Sequence, residues 1–238
     1  MDFPAKLKQI LFLDIETVSC VSSYHHMDNR LKPLWERKAN YIDKGTDKET
    51  LFFEKAGIYA EFGKIITISI GSFFQNQTSE LCFKVKSFYG DDEKIVLKEF
   101  NDLISKFDQR KLVLCAHNGK EFDFPFICRR MLINGIEIPE VLRISGKKPW
   151  EVHHLDTLEL WKFGDKKNYT SLDLLAALFD IPSSKNDFDG SMVNECYYNQ
   201  KDLKRIKTYC EKDVIVTAQL YLRFKNLPLV PEENIHIH

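Results

Sequence analysis

Ile10-Leu11-Phe12-Leu13-Asp14-Ile15-Glu16 is the stretch on which the reading of the chain turns. Four apolar residues in a row suit a strand buried on both faces, and two carboxylates follow at alternate positions. Side chains alternate across a strand, so Asp14 and Glu16 leave it on the same face. Two bare carboxylates at the end of a buried strand repel each other and lose hydration, a cost that a cation offsets. Hard divalent ions such as Mg²⁺ take oxygen ligands, usually a few carboxylates together with phosphate oxygens. The D-x-E spacing by itself is weak, because about one copy arises by chance at ordinary Asp and Glu frequencies. Asp91-Asp92-Glu93 is another copy, placed where a helix opens and acidic residues suit the helix dipole. Only the copy at Asp14 follows a hydrophobic strand.

Working outward, Lys64 to Phe74 and Ser79 to Val85 are rich in β-branched and aromatic residues and read as second and third strands. Ile95, Val96, Phe100, Leu103, Ile104 and Phe107 recur at helical spacing within Asp91–Phe107. Leu112 to Ala116 is a fourth strand, followed by a helix from about Phe122 to Asn134. Thr170 or Ser171 caps a helix that reaches about Phe179, and a long final helix starts near Asp202. This order predicts a mixed α/β fold with helices packed on a sheet. Residues 19–61 are polar and poorly periodic, and read as an insertion between the first two strands in a single domain spanning 1–238. His236 and His238 fall in a polar C-terminal tail.

Two further groups join the first pair. Asn118-Gly119-Lys120-Glu121-Phe122-Asp123 directly follows the fourth strand, so Asn-Gly makes the turn and Asp123 opens a helix. Tyr209 and Asp213 are four apart in the last helix, which puts phenol and carboxylate on one face. The Y-x-x-x-D spacing also occurs at Tyr24/Asp28, Tyr169/Asp173 and Tyr198/Asp202. Asp173 and Asp202 have ordinary work at helix starts. Asp213 lies deep in a helix among apolar neighbours, where no cap accounts for it. His154 and Asp156 read as one strand face with structural partners.

The composition is that of a globular chain, 44% hydrophobic and 29% charged over 238 residues. No apolar run approaches the ~20 residues needed to span a bilayer, and no signal-peptide core follows the N-terminus. The expected location is the cytoplasm. Six scattered cysteines without a C-x-x-C pair read as reduced core residues. The net charge of −1 offers no support for a large non-specific nucleic-acid surface, although an enzyme gripping a few nucleotides needs none.

In this order the three groups resemble the exonuclease motifs of the DEDD superfamily, and the tyrosine at 209 points to its DEDDy branch. HNGKEFDFPFICRRML is similar to the second motif of the proofreading exonuclease domain of B-family DNA polymerases. EFGKIITISIGSF, HLDTLELWKFG, IPSSKNDFDGSMV and YCEKDVIVTAQLYLRF fit the layout of stand-alone bacterial 3′→5′ exonucleases related to that domain. The resemblance covers about residues 9 to 225. It implies a ribonuclease H-like mixed sheet flanked by helices, and two Mg²⁺ or Mn²⁺ ions about 3.5–4 Å apart. By the resemblance Asp14 bridges both ions, Glu16 and Asp213 help hold the first, and Asp123 positions the second through its water shell. Tyr209 orients the attacking water, and Thr17, Asn118, Phe122 and Lys185 contact the substrate. The implied partner is a single-stranded nucleic acid 3′ end, DNA ahead of RNA, with a replication or repair partner left open and no membrane. The alternatives are a ribonuclease D-like RNA exonuclease and a catalytically silent binding or polymerase-partner module.

Overall fold

The computed structural model describes residues 6–165, 167, 169–182 and 188–238. Its strands are β1 (Ile10–Ser19), β2 (Gly63–Gln75), β3 (Leu81–Tyr89), β4 (Val113–Ala116), β5 (Leu155–Asp156) and β6 (Ile235–Ile237). They form one six-stranded sheet of order β5-β4-β1-β2-β3-β6. β2 runs antiparallel to β1 and β3, whereas β4 lies parallel to β1 and β5. β1 is thus an interior strand, as its unbroken apolar run requires.

The alternation along β1 separates two cores. Leu11, Leu13 and Ile15 face α3 (Glu93–Ile104) and α4 (Asp123–Ile133), packing with Leu97, Phe100, Phe124 and Ile127. Ile10 and Phe12 face the long helix α7 (Leu203–Phe224), against Val214, Ala218 and Tyr221. Each large apolar side chain buried in this way contributes about 1.5–3 kcal/mol. Gly71 on β2 lets α7 sit close, since a Cβ there would overlap the Phe83 ring and lie 2.9 Å from Val214. α7 therefore crosses the same sheet face to which Asp14 and Glu16 belong.

Between β1 and β2 the chain builds α1 (Lys32–Ile42) and α2 (Lys48–Lys55) around their own small core. Trp35 is fully buried, edge-on to Phe52 and Phe62, and its indole N–H donates to the Lys48 carbonyl at 2.9 Å. Few apolar residues serve this core, which explains the weak periodicity of the stretch. Two short helices, α5 (Thr157–Lys162) and α6 (Leu172–Leu178), precede α7, and Ser171 caps α6 as the sequence predicts.

Arg130 of α4 ties these parts together. Its guanidinium donates to both oxygens of Glu93, at 2.8 and 2.6 Å, and to the Ala60 carbonyl at 2.8 Å. Glu93 also accepts from the Ile65 N–H and from Asn134. The buried pair is fully hydrogen-bonded, the condition under which such a pair is tolerated.

Three expectations are corrected. β3 runs on to Tyr89 instead of ending near Val85, because its side chains change role there: Ser87 bonds Glu211 of α7 while Phe88 enters the α3 core. The C-terminal residues are not a loose tail, since Ile235–Ile237 adds β6 along the edge of β3. His236 pairs with Lys84 and its ring meets Phe74, a strand made by an available edge and not by local propensity. At Asp91-Asp92-Glu93 it is Asp92 that caps α3, while Asp91 accepts the Tyr197 hydroxyl at 2.6 Å. Among the described residues no helix is long and apolar enough to cross a membrane, and all six cysteines are free thiols.

Candidate active site

Asp14 and Glu16 leave β1 on the α7 side, where Cys210 of α7 covers them. One ligand atom from each of Asp14, Glu16 and Cys210 lies within 4.8 Å of the others. The Cys210 thiol donates to the Asp14 backbone carbonyl at 3.4 Å, and burial pushes its pKa well up. It is therefore a protonated neighbour, and the donors for a cation are carboxylate oxygens. Cys210, one of the six cysteines that read from the sequence as reduced core residues, borders the site. The clue that it borders the site is its position three residues before Asp213 on one helix face.

Asp123 arrives from the opposite side of the strand. β1 pairs with β4 only as far as Phe12 with Cys115, and beyond that the Asp123 carboxylate takes over, accepting the Ile15 N–H at 3.1 Å. Asp123 is 3% exposed, and its pKa is pushed up to about 7, chiefly by burial and then by the charges of Asp156 and Asp213. Asp14 is raised well above the usual carboxylate range by burial, and next by Asp123, Glu16 and Asp213. The four acidic residues that the sequence singles out thus act on one another across β1, α4 and α7.

Two buried polar atoms on this face have no hydrogen-bond partner: Asp14 Oδ2 and Thr67 Oγ1, the latter on the residue paired with Glu16. An orphaned carboxylate oxygen among mutually repelling carboxylates fits a hard divalent cation. Beside Glu16 the ladder slips by one residue: Glu16 faces Thr67, and Thr17 faces Ile65. The extra residue, Ile66, turns toward Tyr209 while Ile65 and Ile68 both enter the α3 core. Such bulges re-aim side chains next to active sites.

Tyr209 is held by burial and by an edge-on contact with Phe188 at 5.1 Å. Its phenol pKa is raised, first by burial and then by Asp213, Glu16 and Asp14, with a hydrogen bond to Asp213 adding to the effect. At neutral pH the phenol keeps its proton and serves as a donor. The other Y-x-x-x-D aspartates have separate partners: Asp202 caps α7, Asp173 sits in the first turn of α6, and Asp28 pairs with Arg30.

The turn before Asp123 is set by two residues. Asn118 is in the left-handed region at φ 63°. Gly119 is required for another reason, because a Cβ there would overlap the Ala116 methyl and lie 3.3 Å from Phe124. Gly119→Ala should cost about 1–3 kcal/mol, the usual penalty of overpacking. It should also lower any activity that depends on Asp123; urea denaturation beside a hydrolysis assay measures both. Asp156 anchors the turn, accepting N–H groups from Asn118, Lys120 and Leu158 at 2.9, 3.1 and 2.9 Å. Its neighbour His154 is buried between the Leu114 N–H and the Val141 carbonyl, so both have structural partners.

Thr17 gives its hydroxyl proton to the Gly57 carbonyl at 2.8 Å, so its side chain has no proton left to donate to a ligand. Phe122 is half-buried against Phe126 at the edge of the α3 core. Lys185 lies outside the described residues.

Residues 58–230 match a family described as predicted 3′→5′ exonucleases related to the exonuclease domain of PolB. The match includes Asp123, Tyr209 and Asp213 and begins after Asp14 and Glu16. Among solved structures, the chain is similar to the family B DNA polymerase from the hyperthermophilic archaeon Pyrobaculum calidifontis. The TM-score is 0.52 at 15% identity, over 90% of this chain and 24% of the polymerase, so the chain spans about a quarter of that protein's length. No curated protein matches the sequence. The fold is ribonuclease H-like, a mixed sheet flanked by helices. Because the family match takes in well over half of its residues, the chain belongs to the predicted 3′→5′ exonucleases related to the exonuclease domain of PolB.

Proposed function

We propose that the protein is a divalent-metal-dependent exonuclease that hydrolyses single-stranded 3′ ends, DNA in preference to RNA, and releases nucleoside 5′-monophosphates. The observation that carries this reading is the buried, unpartnered oxygen of Asp14, whose pKa is raised by burial and by the neighbouring carboxylates of Asp123, Glu16 and Asp213. Asp14, Glu16, Asp123 and Asp213 would hold two Mg²⁺ or Mn²⁺ ions. Bound there, the ions supply Lewis acidity for water activation and charge for the leaving 3′ oxygen. The residues of the chain do the positioning. Tyr209, protonated and packed against Phe188, would turn its hydroxyl from Asp213 to the attacking water and orient it. Asp156 fixes the Asn118 turn and with it the start of α4, so that Asp123 meets β1. By the same reading Thr17, through its backbone, and Phe122 would contact the terminal nucleotide, Asn118 the substrate backbone, and Lys185 a phosphate. The preference for DNA rests on the relation to PolB.

The test uses single-stranded DNA and RNA labelled at either end, with Mg²⁺, with Mn²⁺ and with EDTA. Nucleoside 5′-monophosphates should leave from the 3′ end only when metal is present, faster from DNA. No nucleotide release by the wild type with either metal overturns the proposal. Faster release from RNA overturns the preference alone.

A further inference from the structure

The connection between α5 and α6 displays aromatic rings that the core does not use. Tyr169 is 65% exposed, and Phe163 is 93% exposed in a left-handed conformation at φ 44°. An exposed phenylalanine in that conformation is a costly arrangement for a mere linker.

Tyr169 also has a mount. Its ring lies edge-on to His117, with centroids 6.3 Å apart. His117 is fixed at both nitrogens, by the Thr157 hydroxyl at 2.9 Å and the Thr170 carbonyl at 3.0 Å. A carbonyl only accepts, so Nε2 carries a proton toward Thr170. His117 directly precedes Asn118, whose N–H hangs on Asp156, and Asp123 opens α4 five residues later. The Tyr169 ring is thus braced against the loop that delivers Asp123 to the carboxylates.

A chain of net charge −1 has little general attraction for polyanions. An exonuclease must nevertheless hold strands of any sequence, and stacking on an aromatic ring is sequence-tolerant because every base has a π-face. We propose that Tyr169 is a stacking platform for a base of the single strand leading into the carboxylate site. The proposal rests on the exonuclease reading and names a contact that holds the substrate away from the reacting bond.

Anisotropy of a fluorescent thymidine decamer at low salt in EDTA measures binding without hydrolysis. Tyr169→Ala and Tyr169→Leu should raise Kd about 5- to 150-fold, the range for one stacked base. Tyr169→Trp should retain affinity. The slope of log Kd against log salt should be the same in all of them, since no phosphate contact is removed. The loss should also be greater for the decamer than for a dinucleotide. Wild-type affinity in Tyr169→Leu, or a Tyr169→Trp as weak as Tyr169→Leu, overturns the proposal, as does a wild type that does not bind the decamer. Failure of the exonuclease reading is seen separately, as missing metal-dependent nucleotide release.

Discussion

Asp14→Asn is expected to abolish hydrolysis and, in the absence of metal, to stabilise the protein. The two effects have one origin. Asp14 holds a buried oxygen without a partner, surrounded by Glu16, Asp123 and Asp213, each of which raises its pKa. Removing its charge removes repulsion in the metal-free fold, and an amide of the same shape donates to the remaining carboxylates. It also removes one of the carboxylates that would hold the ions. The rate should fall by more than about 1,000-fold, a loss of roughly 4 kcal/mol or more of transition-state stabilisation.

The pH dependence follows with a definite sign. Asp14 and Asp123 bind protons more tightly in the folded than in the unfolded state, Asp123 at about 7 against an ordinary 3.8. Below the unfolded value both states are protonated and there is no penalty. Between 3.8 and about 7 only the folded state holds the Asp123 proton, so stability falls as pH rises and the penalty is complete above that window. The metal-free wild type should therefore melt at a lower temperature at pH 8 than at pH 5, with a smaller difference in Asp14→Asn. Mg²⁺ or Mn²⁺ should raise the wild-type midpoint at pH 8, by about 2.7 kcal/mol of stability at 100 times Kd, and leave the variant nearly unchanged. Calorimetry with and without metal reads all of this. A wild-type midpoint that rises between pH 5 and pH 8 without metal would contradict the account.

Arg130→Ala should cause the largest loss of stability of any single truncation considered, about 3–5 kcal/mol, because it leaves Glu93 charged, buried and unpaired. The same change frees the Ala60 carbonyl and loosens the link between α4 and the insertion. Arg130→Lys should recover little, since an ammonium cannot reproduce the two-pronged contact with Glu93 while also reaching Ala60. Equilibrium urea unfolding measures the effect, and a loss below about 1 kcal/mol would refute the assignment. A fall in hydrolysis should accompany the loss, because Arg130 and Asp123 share α4.

Much of this architecture was legible in the sequence because it is local. The apolar run before Asp14 announced an interior strand, and its alternation put Asp14 and Glu16 on one face. Ser171 and Asp202 were readable as caps because a cap depends only on the next few N–H groups. The helical spacing of Tyr209 and Asp213 needed only the pitch of a helix. What local rules do not carry is which surfaces meet. The Asp123 carboxylate finds the Ile15 N–H across 108 positions because β4 stops short of the end of β1. Cys210 was readable as apolar but not as a neighbour of Asp14, since that depends on how closely Gly71 lets α7 approach the sheet. β6 has almost no signal of its own, because a three-residue strand is made by the edge it joins. The sequence determined the interior strands and main helices, their faces and the acidic residues worth watching. The tertiary structure decided which carboxylates share a field and which oxygen is left without a partner, because burial and Coulomb interaction depend on distances that packing sets.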